Sequence, residues 1–184
     1  MVQLTELVSF CDKITRRNEV ADFSGANNGL QLQNNGSVTK IGAAVDAGQI
    51  PFEKAITEGV DCLIVHHGMF WNTPRSFSGV LYEKLKLAMD NNLAVYSSHL
   101  PLDAHQEIGN NRLLAKAVGL DPLKWFLEYE GTPIALLASA PHSRDELRFR
   151  LVEEFGPNIT AIEYGSATPQ SVAILTGSGR SALD

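Results

Sequence analysis

Four of the five histidines of this 184-residue chain fall in two short stretches, each where an apolar run ends. The first is Cys62-Leu63-Ile64-Val65-His66-His67-Gly68-Met69-Phe70-Trp71. The second is Ser97-Ser98-His99-Leu100-Pro101-Leu102-Asp103-Ala104-His105. Neutral imidazoles and carboxylates are good ligands for zinc, iron or manganese. Adjacent side chains on a strand point to opposite faces. At a strand terminus that rule loosens, so His66 and His67 can lean toward one pocket at diverging angles. Two ions about 3.5–4 Å apart would take one imidazole each, with Asp103 as a bridge.

Taken alone, a histidine pair at a strand end is more often a polar edge bonded to nearby backbone. The second His/Asp cluster at an equivalent strand end shifts the balance toward metal. Asp46, after an earlier apolar run, either orients a histidine as its hydrogen-bond partner or caps the loop into the next helix. His99 suits a bond to ligand or substrate, and His105 suits proton transfer. His142 follows a proline ahead of a helix and is expected on the surface. Phe70 and Trp71 either line a substrate pocket or pack their loop down. Gly177-Ser178-Gly179 is either an anion cradle or a plain turn.

Strands and helices must deliver these residues to one place. Leu4, Leu7, Val8, Cys11 and Ile14 recur at helical spacing and predict a helix over residues 5–17 with Thr5 as cap. Residues 21–35 are polar and turn-rich, with Leu30 and Leu32 alternating between Asn-Gly turns. Strands are expected over 38–45, 62–65 and 93–98, and helices from Pro51 to Gly59, over 80–91 and over 110–118. Each connection is long enough for a crossover, so the strands should be parallel. Ligands in such sheets bind beyond the carboxyl ends of the strands, where Asp46, His66-His67 and the 99–105 loop all lie. Beyond residue 121 the pattern changes. Strands are expected over 134–138, 159–164 and 172–175, with a helix over 143–155 capped by Ser143 and Glu146. The fold class is therefore α/β: a layered α/β/α lobe over 1–127 with a mainly parallel sheet, and a smaller α/β lobe over 128–184.

Composition bounds the rest. The chain is 44% hydrophobic and 20% charged, with a net charge of −6 and no basic patch. Nucleic acid is an unfavoured partner. No apolar run nears the ~18 residues that span a bilayer, and no signal pattern opens the chain, so no membrane association and a cytoplasmic location are expected. Cys11 and Cys62 lack the spacing of a thiolate metal site and read as buried apolar residues. The last residues, 177–184, look like a strand exit and the first turn of a helix that cannot stand alone. The reading is of a piece of a longer protein.

Together, Val65-His66-His67-Gly68 with Trp71, His99-Leu100-Pro101-Leu102-Asp103-Ala104-His105, Asn110-Asn111-Arg112-Leu113-Leu114, Asn28-Gly29-Leu30, Asp46 and Gly177-Ser178-Gly179 resemble the Nif-three-like family, often called GTP cyclohydrolase 1 type 2. The resemblance runs nearly end to end. It implies a layered α/β pair of lobes, self-assembly into a hexameric ring, and divalent ions, two per site. It implies His66, His67 and Asp103 as metal ligands. It also implies a His and a Glu near the C-terminus that this sequence lacks, and hence weakened metal binding. The activity implied is a metal-dependent hydrolase acting on a small molecule, with His99 or His105 assisting proton transfer. A non-catalytic metal-binding or protein-interaction scaffold is the alternative, and an open position at the metal would separate the two.

Overall fold

The computed structural model describes residues 1–72, 76–140 and 143–179. His142 and residues 180–184, where a surface histidine and a helix start are expected, lie outside the described residues. The chain divides into two compact units, Met1–Leu102 and Asp103–Asp184. The boundary falls after Leu102 rather than after residue 127, because residues 110–129 make a helix and a strand that pack with the later strands.

The first unit holds β1 (Val2–Gln3), α1 (Leu4–Ile14), β2 (Gly29–Leu32), β3 (Ser37–Val38), β4 (Ile41–Asp46), α2 (Gln49–Thr57), β5 (Cys62–His67), α3 (Val80–Asp90) and β6 (Ala94–Ser97). Its main sheet has the order β2-β6-β5-β4. Strands β4, β5 and β6 are parallel, with Asp46 opposite His67 and Val65 opposite Ser97. The crossover helices α2 and α3 explain that direction. The leucine pair expected only as a short alternating segment becomes β2, an antiparallel edge strand against β6.

Alternation along the strands builds two cores. Leu63, Val65 and Val95 pack with Phe52 and Ala55 of α2 and Ala88 of α3. Cys62 and Ala94 face the other way, to Leu4 and Val38, with Leu7 and Val8 of α1 against them. The layers are thus α/β/α. Both cysteines are buried free thiols. Burial, then the neighbouring Cys11 and Asp61, push the Cys62 thiol up to about 11, which keeps it protonated and inert.

The expected helix over 5–17 begins at Leu4 and ends at Ile14, with Gln3 rather than Thr5 at the N-cap. The expected strand over 38–45 is two pieces. Ser37–Val38 pairs with Val2–Gln3, and Ile41–Asp46 pairs with β5. Asp61 holds the break: its Oδ2 accepts the backbone N–H of Thr39 at 2.6 Å and of Lys40 at 2.8 Å.

The second unit holds α5 (Asn110–Ala117), β7 (Asp121–Tyr129), β8 (Thr132–Ser139), α6 (Arg144–Phe155) and β9 (Ser171–Ile174), after the short α4 (Leu100–Asp103) at the boundary. Its sheet is antiparallel, in the order β7-β8-β9. The long strand β7 is absent from the sequence expectation, since Pro122, Lys124 and Glu128 break its apolar pattern. Its hairpin turns on Glu130-Gly131, with φ of 46° and 79°, the left-handed pair that a tight two-residue turn requires. Ser143 caps α6 as expected, accepting from the Glu146 N–H at 3.2 Å. The strand expected over 159–164 does not form. Ile162 and Tyr164 are 90% and 93% exposed, so the alternation there has no face to bury. Among the described residues no helix is long and apolar enough to cross a membrane.

Candidate metal centre

Strand β5 continues through both histidines, so His66 and His67 are its last two residues. Their rings nonetheless come side by side, with centroids 4.7 Å apart. The His99 ring, from the exit of β6, lies 4.9 Å from that of His66 and 5.6 Å from that of His67. One ring nitrogen from each of the three lies within 4.8 Å of the others, in a group able to hold a metal ion.

The oxygen partners of the rings decide which nitrogen each leaves over for a ligand role. His66 Nδ1 lies 3.0 Å from the Ser98 carbonyl oxygen. His67 Nδ1 lies 2.7 Å from Asp46 Oδ1. His99 Nδ1 lies 2.9 Å and 3.1 Å from the two carboxylate oxygens of Asp22. A carbonyl and two carboxylates only accept, so each Nδ1 carries its proton and donates it. Each Nε2 is the nitrogen left over to serve as a ligand. Imidazoles with Nδ1–H anchored to oxygen are the usual dress of a histidine metal site. The residues present fit a divalent cation of the zinc, iron or manganese kind.

Other groups enclose the cluster. The Trp71 ring stands edge-on to His99 at 4.8 Å, and Phe23 is 6.0 Å away. Trp71 Nε1 donates to the Gly68 carbonyl at 3.2 Å, and Trp71 also bridges to Ala26. Gln31 of β2 clamps the loop after His67, accepting the Met69 N–H at 2.6 Å and donating to the Asn27 carbonyl at 2.6 Å. The segment from 22 to 31 is therefore a wall of the site, where the sequence shows only turns.

Of the expected site residues, His66 and His67 are brought together and Asp46 bonds His67. His99, read for proton transfer, joins the pair as a third imidazole. Asp103 and His105 belong to the second unit. Asp103 is buried, and its Oδ1 accepts from Asn110 Nδ2 at 2.7 Å and from Thr176 Oγ1 at 2.8 Å. The fully buried Asn111 donates to the Asp103 and Ile134 carbonyls and accepts the Thr176 N–H. His105 Nδ1 accepts the backbone N–H groups of Glu107 and Ile108, both at 3.1 Å.

Asp22 is the residue that sequence reading misses. Burial works to raise its carboxyl, but hydrogen bonds from His99 and Asn28, the charge that His99 carries when protonated and the Phe23 N–H outweigh it and hold the group below its ordinary value. Its only sequence signal is an acidic side chain in a turn-rich stretch just ahead of Asn27-Asn28-Gly29.

The family model for Duf34/NIF3 (NGG1p interacting factor 3) matches residues 2–184. The chain is similar to a protein of Archaeoglobus fulgidus named GTP cyclohydrolase 1 type 2 homolog, 34% identical over 183 residues, which cover 100% of this chain and 73% of the relative. Among solved structures it is similar to TTHA1606 from Thermus thermophilus, with 33% identity and a TM-score of 0.84, covering 99% of this chain and 73% of that one. It is also similar to the protein ybgI, described as of unknown function, with 30% identity and a TM-score of 0.87, covering 98% and 72%. With the model matched over nearly the whole chain, and relatives at this identity sharing its fold, the chain belongs to the Duf34/NIF3 family.

Proposed function

We propose that this chain carries the metal-holding residues of a metal-dependent hydrolase. The observation that supports this reading is the convergence of three imidazoles, each with Nδ1 committed to an oxygen acceptor. His66, His67 and His99 would hold the cation through Nε2. When bound, such an ion acts as a Lewis acid and lowers the pKa of water toward ~7. The protein's part is to orient the three rings and to exclude bulk water. Ser98 O, Asp46 and Asp22 fix the ring planes, and Trp71 and Phe23 cover one flank.

The resemblance adds Asp103 as a ligand and a second ion, and it adds a hexameric ring. The name carried by the Archaeoglobus relative makes a purine nucleotide the first substrate class to assay.

The test is metal binding followed by turnover. Zn2+ or Mn2+ bound after dialysis is counted in the wild type and in His66→Ala, His67→Ala and His99→Ala. Each single variant is expected to lose about tenfold in affinity or more. Wild-type binding by a folded triple variant would overturn the site. GTP and other nucleotides are then followed chromatographically with the loaded protein. Asp103→Ala is expected to lower metal stoichiometry and turnover together. Stoichiometric metal with no turnover of any nucleotide would favour the scaffold reading instead.

A further inference from the structure

The three anchors of the imidazole cluster differ in kind. Asp46, which bonds His67, is an exposed carboxylate: its side chain is 67% accessible and that of His67 is 43% accessible. A hydrogen bond that wet competes with water and yields easily. Asp22 and His99 are 7% and 14% accessible. A buried carboxylate is tolerated only when its lone pairs are satisfied, and four donors do so here. Oδ1 accepts from the Phe23 N–H at 2.7 Å and from His99 Nδ1 at 2.9 Å. Oδ2 accepts from Asn28 Nδ2 at 2.7 Å and from the Leu100 N–H at 3.0 Å.

Asn28 closes the arrangement on its other side. Its Oδ1 accepts the His99 N–H at 2.7 Å, so both the ring and the backbone of His99 are tied to the 22–28 segment. The Asn28 carbonyl in turn accepts from an Arg17 guanidinium nitrogen at 2.9 Å. Arg17 Nε lies 2.9 Å from Asp12 Oδ1 as an ion pair, at an angle that leaves Nε without a hydrogen bond. The buried Tyr96 hydroxyl donates to the same Asp12 oxygen at 2.8 Å. Gly29 is fitted to this stack: a Cβ there would sit 2.5 Å from the guanidinium, and its φ is +102°.

We infer that Asp22 is the positioning residue for His99. Held by Asn28 and two backbone N–H groups, it fixes the His99 ring as the Nδ1–H tautomer, with Nε2 presented to His66 and His67. His99 is then the preset corner of the cluster, and His67, anchored by an exposed carboxylate, is the adjustable one. The inference rests on the metal-holding reading for its purpose, but its first readout needs no metal.

The test uses the whole chain. Nitrogen-15 NMR of the metal-free protein reports which imidazole nitrogen carries the proton. His99 is expected as Nδ1–H in the wild type. In Asp22→Ala, with Trp71 and Phe23 intact, the ring is expected to move toward the Nε2–H form that imidazole in water prefers. Zn2+ affinity is expected to fall about 10–100-fold. Should Asp22→Ala not fold, Asp22→Asn keeps the shape and removes the charge, and is expected to weaken Zn2+ binding several-fold. Asp46→Ala, the comparison, is expected to weaken it less than either. A folded Asp22 variant that keeps the His99 Nδ1–H form and binds Zn2+ within about twofold of wild type would overturn the inference. The two readings fail separately. A wild type that binds no Zn2+ while its tautomer responds to Asp22 sinks the metal-holding reading alone. Tight wild-type Zn2+ binding, with both that binding and the His99 tautomer indifferent to Asp22, sinks this inference alone.

Discussion

His66 and His67 are visible in the sequence as candidate ligands because they end an apolar run. His99 is visible too, but its partner is not. The His99–Asp22 contact joins residues 77 positions apart, and no local period announces it. The same holds for Asp46, whose two sequence readings, orienter or cap, are separated only by its 2.7 Å bond to His67. Gly29→Ala tests the stack behind Asn28 without replacing a titratable group. The added methyl would meet Arg17 at a left-handed φ. A loss of about 1–3 kcal/mol is expected in urea unfolding, and a change under about 0.5 kcal/mol, the size of an ordinary surface substitution, would show that Arg17 can swing away.

Helix and strand identities in the first unit follow from periodicity, and there the sequence reading is close. Strands β5 and β6 alternate between two helix-covered faces, so most of their apolar positions are buried, whereas the outer strand β4 leaves Ile41 and Val45 exposed. Phe52 is fully buried between α2 and the sheet. Phe52→Ala is expected to cost about 3–5 kcal/mol by calorimetry or denaturant, and a smaller loss would mean that the cavity collapses. At the break between β3 and β4, Asp61 supplies a pH-dependent term. Hydrogen bonds from the Thr39 side chain and from the Thr39 and Lys40 N–H groups hold its carboxyl below the ordinary value. A carboxyl depressed in the fold stabilises above its unfolded pKa of ~3.9, and that contribution is lost as pH falls through the folded value. The wild type should therefore lose stability as pH falls below about 4 more steeply than Asp61→Asn. Parallel stability–pH curves for the two would refute this. The second unit is less legible. Residues 159–164 alternate like a strand yet stay exposed, and β7 is a strand despite its charges, because β8 supplies the partner that fixes it.

For the molecule as a whole, a ligand that binds only the folded state raises stability by mass action. The three rings come from two strand exits, and the unfolded chain has no such grouping. Zn2+ at about 100 times its dissociation constant should add about 2.7 kcal/mol. A rise in Tm, reversed by chelator and absent in the His66→Ala/His67→Ala protein, is the expected result. An equal rise in that variant would place the metal elsewhere.

Residue order alone accounts for the strand–helix alternation, the buried thiols and the delivery of Asp46, His66-His67 and His99 to the carboxyl ends of parallel strands. Those features arise from side-chain periodicity and crossover length, which are local. The tertiary structure set the rest: the antiparallel β2 edge, the β7–β8 hairpin with its unit boundary, and above all the choice of which nitrogen each histidine presents. That choice depends on acceptors brought in from distant segments. A tautomer is a property of the fold around the ring, and two neighbouring histidines in a sequence do not carry it.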